Sequence, residues 1–256
     1  MKITIIVNNS AESGLLTEHG LSVLVETGTR RILFDTGQSE TVLLGNARSL
    51  GAELDRLDAV ALSHAHYDHA GGLGALSSII QDIPLYCAAG VPERLSLPEN
   101  HRFEIRASSS PQEIAEGVMT TGHIRRSCSF EPEPKPRPGE RETGMTGDIM
   151  LDEQALVVEC AEGLLAITGC AHPGVVNIVQ AAREIGRGDV FALLGGFHLG
   201  GASDERIRRT IAALKDSGVR RVFPAHCTGE EATEHFKDAF GEDCVPCTGG
   251  ATFSFD

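Results

Sequence analysis

The chain has 256 residues, of which 41% are hydrophobic and 23% are charged, an ordinary composition for a globular protein. This length can bury one substantial core, so we expect a single domain over residues 1–256. The formal net charge of −14 argues against a nucleic-acid partner, because binding a phosphate backbone requires clustered Lys and Arg. No run approaches the roughly 20 apolar residues of a membrane span, and the apolar residues 1–7 are too few for a signal peptide. We therefore expect no membrane partner and a cytoplasmic location.

The apolar spacing predicts alternating strands and helices in chain order. In the first part of the chain, strands are predicted at 3–7, 21–25, 31–34, 57–62 and 84–88, the first three as an antiparallel meander. Helices are predicted at 39–51, from residue 72 to about residue 78, and from a start near 91–92. Later in the chain, the patterns predict strands at 155–160, 164–168, 190–194 and 220–223, and helices at 174–186 and 203–217.

Residues 121–148 differ from the rest, because prolines alternate with charged residues from Phe130 to Gly139. Proline removes backbone hydrogen-bond donors and favours an extended chain, so this stretch is predicted to be an exposed loop outside the core. Long loops are often functional, so an inert surface excursion and a lid that faces the substrate both stay open.

The seven cysteines are expected to be reduced thiols, because an odd number is spread along a chain with no signal peptide. Cys160 and Cys170 lie at the ends of predicted strands and are interpreted as small core residues. Cys244 and Cys247 form a Cys-x-x-Cys pair without a second pair at zinc-ribbon spacing. Structural thiols are favoured for this pair, and a redox or metal role stays open.

The most informative stretch is residues 62–72, which read Leu-Ser-His-Ala-His-Tyr-Asp-His-Ala-Gly-Gly. It places His64, His66, Asp68 and His69 within six residues, after a strand-like run and before a Gly-Gly turn. His64 and His66 can face one point in space, and Asp68 and His69 can face a second point a few ångströms away. Imidazole and carboxylate groups suit Zn²⁺, Mn²⁺ and iron. The stretch therefore predicts a metal site.

This motif resembles the signature of the metallo-β-lactamase superfamily, and later pieces follow in the order typical of that family. They are Asp35-Thr36-Gly37, Gly169-Cys170-Ala171-His172 and Phe223-Pro224-Ala225-His226-Cys227-Thr228-Gly229. Three further pieces resemble a branch of methanogen dihydropterin-linked ribofuranosylaminobenzene-phosphate synthases: Glu18-His19-Gly20-Leu21-Ser22, Gly196-Phe197-His198-Leu199 and Ala225-His226-Cys227-Thr228-Gly229. The resemblance implies an α/β fold, a four-layer αβ/βα sandwich of two mixed sheets flanked by helices.

The resemblance also implies two divalent metal ions and a ligand set for each. One ion would be held by His64, His66 and His172, and the other by Asp68, His69 and His226, with Asp68 also catalytic. Zinc is favoured, with manganese or iron as alternatives. The superfamily's bridging aspartate has no counterpart here, since its place reads Gly195-Gly196-Phe197-His198. The second site could therefore be only partly occupied.

Four more residues receive roles from the resemblance. His198 could ligate metal, donate a proton or hold a substrate phosphate, and His19 is expected to line the pocket. Asp35 is expected to accept a hydrogen bond from a ligand imidazole, the usual way in which a metal-binding histidine is oriented. Cys227 is kept as a pocket residue because it follows a candidate ligand.

The leading hypothesis is a metal-dependent enzyme that acts on a small anionic substrate, a phosphorylated or ester-type metabolite. The branch resemblance implies pterin-linked group transfer with pyrophosphate as the leaving group. One alternative is a generic metallohydrolase of the phosphodiesterase, lactonase or thioesterase type, and another is a non-catalytic binding protein stabilised by metal. The sequence leaves the substrate, the native metal and the oligomeric state open.

Overall fold

The computed structural model describes residues 1–28, 30–131 and 152–255, and within them the chain forms thirteen strands and six α-helices. The strands are β1 (Lys2–Val7), β2 (Ser22–Thr27), β3 (Arg30–Phe34), β4 (Ala59–Ala61), β5 (Ile83–Ala88), β6 (Phe103–Ser108), β7 (Gln112–Ala115), β8 (Val118–Thr120), β9 (Leu156–Cys160), β10 (Gly163–Thr168), β11 (Val190–Gly196), β12 (Arg221–Ala225) and β13 (Thr252–Ser254). The helices are α1 (Glu40–Leu50), α2 (Tyr67–Ala70), α3 (Leu73–Ile79), α4 (Val175–Ile185), α5 (Asp204–Asp216) and α6 (Glu230–Phe240).

The strands form two mixed sheets. The first has the order β13-β1-β2-β3-β4-β5-β6, in which β1 to β3 are an antiparallel meander and β3 to β6 are parallel. The second has the order β12-β11-β10-β9-β8-β7, in which β10, β11 and β12 are parallel and the other neighbours are antiparallel. The predicted meander is confirmed.

Apolar residues alternate along the strands so that both faces of each sheet are buried, because successive side chains of a strand point to opposite faces. In β10, Leu165 and Ile167 belong to the apolar cluster between the two sheets. Leu164 and Ala166 instead pack with α4, α5 and α6 on the outer face. The first sheet packs its outer face against α1 and α3. The layers therefore run helix, sheet, sheet, helix, and the predicted four-layer α/β sandwich is confirmed.

Most predicted elements are present, with their ends shifted by a few residues. The predicted helix near 91–92 is wrong, since the structure has only the 3₁₀ turn Pro92–Arg94. Glu93 and Arg94 are exposed there and give a helix no apolar face to bury. The sequence patterns do not predict β6, β7, β8, β13, α2 or α6. Of these, β6 and β7 are sheet edges whose side chains are mostly not buried, so they lack a strong apolar pattern. None of the helices in the described residues is long and apolar enough to cross a membrane.

The predicted exposed loop at 121–148 is wrong for its first part. Thr121 and Ile124 are buried, and Phe130 is partly buried against the cluster between the second sheet and its helices. Glu131, the residue that begins the proline-rich run, is also buried. Residues 132–148 lie outside the described residues.

Glu131 is buried because its carboxylate caps the N-terminus of α4. It accepts hydrogen bonds from the backbone N–H groups of Val176 (2.8 Å) and Asn177 (3.0 Å). The residue at the N-cap position is Gly174, which has no side chain to do this itself. A Cβ atom on Gly174 would lie 2.1 Å from Glu131 Oε2, so the glycine also makes room for the cap.

This cap predicts a pH-dependent contribution to stability. Burial raises the pKa of Glu131 from 4.5 to about 7, despite the two N–H donors. The native protein therefore binds more protons than the unfolded chain between pH 4.5 and 7, and the Glu131 contribution falls as pH rises through that window. Relative to Glu131→Gln, the wild type should lose roughly 1–3 kcal/mol of unfolding free energy between pH 5 and pH 8. Urea unfolding of metal-free protein measures this difference.

The matched control is Glu184→Gln, on the exposed face of α4. Its unfolding free energy should follow the wild type at both pH values. An identical pH dependence for the wild type and Glu131→Gln would contradict the assignment of Glu131 as a buried cap.

Candidate metal centre

The candidate site residues follow the carboxyl ends of strands from both sheets. Strands β10, β11 and β12 are parallel, as are β3 and β4, and β1 runs with β3 because both are antiparallel to β2. Loops at the carboxyl ends of parallel strands are the usual place for binding sites in α/β proteins. The residues that follow these strands are Asn9 after β1, Asp35 after β3, His64 after β4, His172 after β10, His198 after β11 and His226 after β12.

The first ligand group expected from the sequence is brought together. One ring nitrogen from each of His64, His66 and His172 lies within 4.8 Å of the others. His64 Nδ1 is 2.8 Å from Ser63 Oγ, whose own proton is donated to Asp35 Oδ2. The protonated nitrogen of His64 is therefore Nδ1, and the lone pair is on the buried Nε2. Burial, followed by the neighbouring imidazoles, holds the pKa of His64 well below its usual value, so the ring stays neutral and able to bind metal.

The second group is also brought together, and it contains an additional member. Asp68, His69 and His226 are buried, and their ligand atoms lie within 4.8 Å of one another and of Cys170 Sγ. Asp68 Oδ2 is 3.3 Å from His226 Nε2 and 3.6 Å from His69 Nε2. Cys170 Sγ is 3.2 Å from His69 Nε2.

Cys170 is buried, as its interpretation as a small core residue implies, but it also belongs to the second ligand group. It lies in the turn after β10 that also carries His172, and its thiol points to the site and not into an apolar cluster. The two groups are close, since the rings of His64 and His69 have centroids 4.3 Å apart.

Each of four candidate ligands is oriented through its other ring nitrogen. His69 Nδ1 lies 2.7 Å from Asp35 Oδ2, the contact expected from the sequence. His172 Nδ1 lies 2.6 Å from Glu153 Oε2, and His226 Nδ1 lies 2.8 Å from Asn9 Oδ1. These contacts, with that of His64 to Ser63, turn the Nε2 atoms towards the site, as in known metal centres.

The sequence did not identify Glu153 and Asn9 as partners of the candidate ligands, because the histidines that they contact are distant in sequence. Glu153 also accepts the backbone N–H groups of Ala171 (2.6 Å) and His172 (2.8 Å), so it holds the whole turn. The sequence offers only two local features that point to these residues: Glu153 is a carboxylate just before a predicted strand, and Asn8-Asn9 follow the first predicted strand.

Charge pairing fixes the ionisation of two of these groups. Burial alone would lower the pKa of His69, but the charge of Asp35 and the hydrogen bond to it raise that pKa to about 9. Burial alone would raise the pKa of Asp68, but His226 and His69 hold it well below its usual range. The raised pKa of His69 and the lowered pKa of Asp68 both reflect the attraction between the imidazolium and carboxylate forms of these neighbours.

His19, His198 and Cys227 line a cleft of about 260 Å³ beside the two groups. His19 Nε2 is 3.2 Å from Asp68 Oδ2, and the His198 ring lies 4.6 Å from the His172 ring. Cys227 donates its S–H to the carbonyl of Cys170 (3.3 Å). The cleft is lined by His19, His66, Tyr67, Asp68, Cys170, His172, His198, Gly200 and Cys227.

The backbone at the site departs from common conformations. In the described residues, the non-glycine residues with positive φ are Asp35 (59°), Ala171 (63°), His198 (50°) and His226 (48°). All four lie in the loops just described. Positive φ is costly for residues with a Cβ and concentrates at functional sites.

The residues present fit divalent metal ions. Nε2 of His64 is buried without a hydrogen-bond partner among the described residues. A buried polar atom without a partner is unfavourable, and a bound ion would satisfy it. Imidazole, carboxylate and thiol are the ligands that zinc and similar ions prefer.

Comparison with known proteins identifies the family. The family model of the metallo-β-lactamase superfamily matches residues 17–226. The chain belongs to the metallo-β-lactamase superfamily. The match includes every candidate ligand from His64 to His226.

Two relatives resemble the chain over nearly its whole length. One is the 7,8-dihydropterin-6-methyl-4-(β-D-ribofuranosyl)-aminobenzene-5′-phosphate synthase of Methanocaldococcus jannaschii, 34% identical over 93% of this chain and 90% of that protein. The other is a solved structure described as a metal-dependent hydrolase of the β-lactamase superfamily, 33% identical, with a TM-score of 0.82 over 99% of this chain and 98% of that one. Zinc-bound PqqB from Methylobacterium extorquens, 16% identical with a TM-score of 0.65 over 99% of this chain and all of that one, shares the fold alone.

The Asp35 contact gives a prediction about metal affinity. In Asp35→Asn, one carboxylate oxygen becomes an NH2 donor, so the side chain cannot accept Ser63 N–H on one side and the Ser63 hydroxyl and His69 Nδ1–H on the other. The negative charge next to His69 is also lost, so the orientation of the His69 ring is held less firmly. The affinity for zinc should fall by about 10- to 100-fold at the second group while the fold persists. Competition with a chromophoric chelator measures the affinity.

Asp58→Asn is the matched control. Asp58 also accepts a backbone N–H from a neighbouring segment, that of Arg31 (2.8 Å), but it does not line the cleft. It should bind zinc as the wild type does. If Asp35→Asn did so too, the orienting role of Asp35 would be refuted.

Proposed function

We propose that the chain is a metal-dependent enzyme that acts on a small phosphorylated or ester-type metabolite. The observation that carries the proposal is the convergence of two adjacent groups of ligand atoms at the floor of an open cleft. His64, His66 and His172 would hold one divalent ion, and Asp68, His69 and His226 would hold the second. Zinc is the favoured ion, with manganese or iron as alternatives.

The charge of the cleft favours an anionic substrate. Asp68 carries the only carboxylate among the described residues that line the cleft. Two divalent ions would outweigh that charge and attract a phosphate or carboxylate in a protein that is otherwise strongly acidic. When bound, the ions would supply Lewis-acid stabilisation of negative charge that develops on a leaving group.

The chain's own residues would position the substrate and move protons. His198 lies next to His172 of the first group, and His19 lies next to Asp68 of the second. Either ring can hold a phosphate oxygen or deliver a proton to a leaving group. Tyr67 is 63% exposed at the cleft and offers an apolar surface for the rest of the substrate. The cleft volume of about 260 Å³ suits a small metabolite.

Pterin-linked group transfer with pyrophosphate as the leaving group is the first form of this proposal. It is supported by the 34% identity to the methanogen synthase across almost the full length of both proteins. Hydrolysis of a phosphodiester, lactone or thioester is the second form. It is supported by the 33% identity and the TM-score of 0.82 to the metal-dependent hydrolase.

A substrate panel separates the two forms. Purified protein, with and without chelator, is assayed on a dihydropterin pyrophosphate plus an aminobenzene acceptor, and on generic phosphodiester, lactone and thioester substrates. Metal-dependent release of pyrophosphate with acceptor consumption supports transfer, and metal-dependent turnover without acceptor supports hydrolysis. Stoichiometric metal with no turnover of any substrate would instead support a metal-stabilised binding protein.

Loss of one candidate ligand should remove metal but not the fold. His66→Ala and His226→Ala each remove a ring from loops that lie over separately packed apolar clusters. We expect metal content to fall by at least one ion per chain and activity by about 100-fold or more. Elemental analysis, turnover and circular dichroism measure the three quantities.

The control is His123→Ala, an exposed histidine that does not line the cleft. It should retain the metal content and the rate of the wild type. Wild-type metal content and rate in His66→Ala and His226→Ala would exclude these residues as ligands.

His198→Ala distinguishes binding of metal from action on substrate. His198 lies outside both predicted ligand groups, although its ring nitrogen is near Cys170 and Cys227. We therefore expect metal content near the wild-type value and a fall in kcat/KM of about 100-fold, or about 2.7 kcal/mol of transition-state stabilisation. A loss of metal would make His198 a ligand, and an unchanged rate with unchanged metal would exclude both roles.

A further inference from the structure

The second ligand group differs from the first in the chemistry of its atoms. The first consists of three imidazoles, whereas the second combines a carboxylate, two imidazoles and the thiol of Cys170. All four members of the second group are buried. Four donors around one point are the number that a tetrahedral zinc ion takes when the protein supplies every ligand.

The position of the sulfur matches that of a ligand. Cys170 Sγ lies 3.2 Å from His69 Nε2, the nitrogen left for metal because His69 Nδ1 is bound to Asp35. Nitrogen and sulfur atoms bound to one tetrahedral zinc, at about 2.0 and 2.3 Å from the ion, lie roughly 3.5 Å apart. The opposite member of the group, His226, has its buried Nε2 3.3 Å from Asp68 Oδ2. The thiol and the two imidazoles therefore lie around the same point as the carboxylate of Asp68.

The surrounding backbone holds Cys170 in this position. Its neighbour Ala171 has φ of 63°, and the Ala171 N–H is held by Glu153. On the other side, Cys227 donates its S–H to the Cys170 carbonyl. Hydrogen bonds on both sides therefore hold the backbone of the turn that carries the Cys170 thiol.

The last two residues of β11 are glycines and offer no side chain that could bind metal in place of the sulfur. That strand ends in Gly195-Gly196, and a Cβ atom on Gly196 would lie 2.7 Å from Cys227 Sγ. Cys170 and Cys227 therefore lie beside the second group on this side, at the wall of the cleft.

We propose that Cys170 is the fourth ligand of the second ion, bound as a thiolate, and that this group selects a thiophilic ion. The inference rests on the proposed function, because it concerns one of the two ions proposed there. Binding replaces the S–H bond with a sulfur–metal bond and releases one proton to solvent. Thiolate disfavours Mn²⁺ and Mg²⁺ and favours Zn²⁺ and Co²⁺, so the two sites differ in metal preference.

The test is the spectrum of the cobalt-loaded protein. Thiolate bound to Co²⁺ gives an intense charge-transfer band in the near ultraviolet, which imidazole and carboxylate do not give. We expect this band in the wild type after addition of two equivalents of Co²⁺, and its loss in Cys170→Ser and Cys170→Ala. Zinc X-ray absorption on the wild type should show sulfur in the zinc shell, a readout that needs no variant.

Two cysteine variants serve as matched controls. Cys227→Ser alters the neighbouring thiol, and Cys160→Ser alters a partly buried thiol at the end of β9, away from the cleft. Both should keep the band. Cys170→Ser should keep one tightly bound ion and lose affinity for the second by about 100-fold or more, since loss of a mere orienting partner already costs 10- to 100-fold. Its preference for zinc over manganese at that site should fall.

The outcomes separate the two proposals. Two bound ions with no charge-transfer band and no sulfur in the zinc shell would overturn the role of Cys170 and leave the proposed function intact. A band that survives in Cys170→Ser and disappears in Cys227→Ser would also overturn it. A wild-type protein that binds neither zinc nor cobalt would overturn the proposed function itself.

Discussion

The buried carboxylate of Asp35 is the contact on which the arrangement of the cleft depends. It follows β3, and it accepts the backbone N–H of Ser63 (2.7 Å), the Ser63 hydroxyl (2.7 Å) and His69 Nδ1 (2.7 Å). Through Ser63 it also sets the orientation of His64, so one carboxylate fixes a ring in each ligand group. Removing it would leave several buried donors without acceptors, which costs more than the bonds themselves contribute.

The site also depends on the way in which the two sheets meet. His64, His66, Asp68 and His69 follow a strand of the first sheet, whereas His172 and His226 follow strands of the second. Gly169 allows the close approach, because a Cβ atom there would lie 2.1 Å from Ser63 Oγ. The apolar cluster between the sheets therefore determines the ligand geometry, and an ion that binds only the folded state would in turn stabilise the packing of the sheets.

The sequence predicts local features of this protein better than distant ones. The spacing from His64 to His69 and the strand-like runs before His172 and His226 are local patterns, and the structure brings those residues together as expected. The sequence did not identify Glu153, Asn9 or Cys170 as part of the site. The contacts of Asn9 with His226 and of Cys170 with His69 join loops more than 90 residues apart, which only the fold brings together. Glu131 was misjudged for a related reason: the prolines after it suggested solvent, but its partners are the N–H groups of a helix 45 residues later.

The positive φ angles at Asp35, Ala171, His198 and His226 carry a consequence for the balance between rigidity and stability. Each left-handed residue with a Cβ costs of order 1–2 kcal/mol, so the folded state is less stable than the same sandwich with relaxed loops would be. In return, the hydrogen bonds to Asp35 and Glu153 hold these loops in one conformation, which lowers the entropy that binding of an ion or substrate would have to offset. Ala171 is the one member of this set whose side chain has no polar group, so it is the place where glycine could relieve strain without removing a functional atom. Such a substitution would raise the free energy of unfolding but would make the loop more flexible. The strained residues at the cleft therefore represent an exchange of overall stability for rigidity of the site.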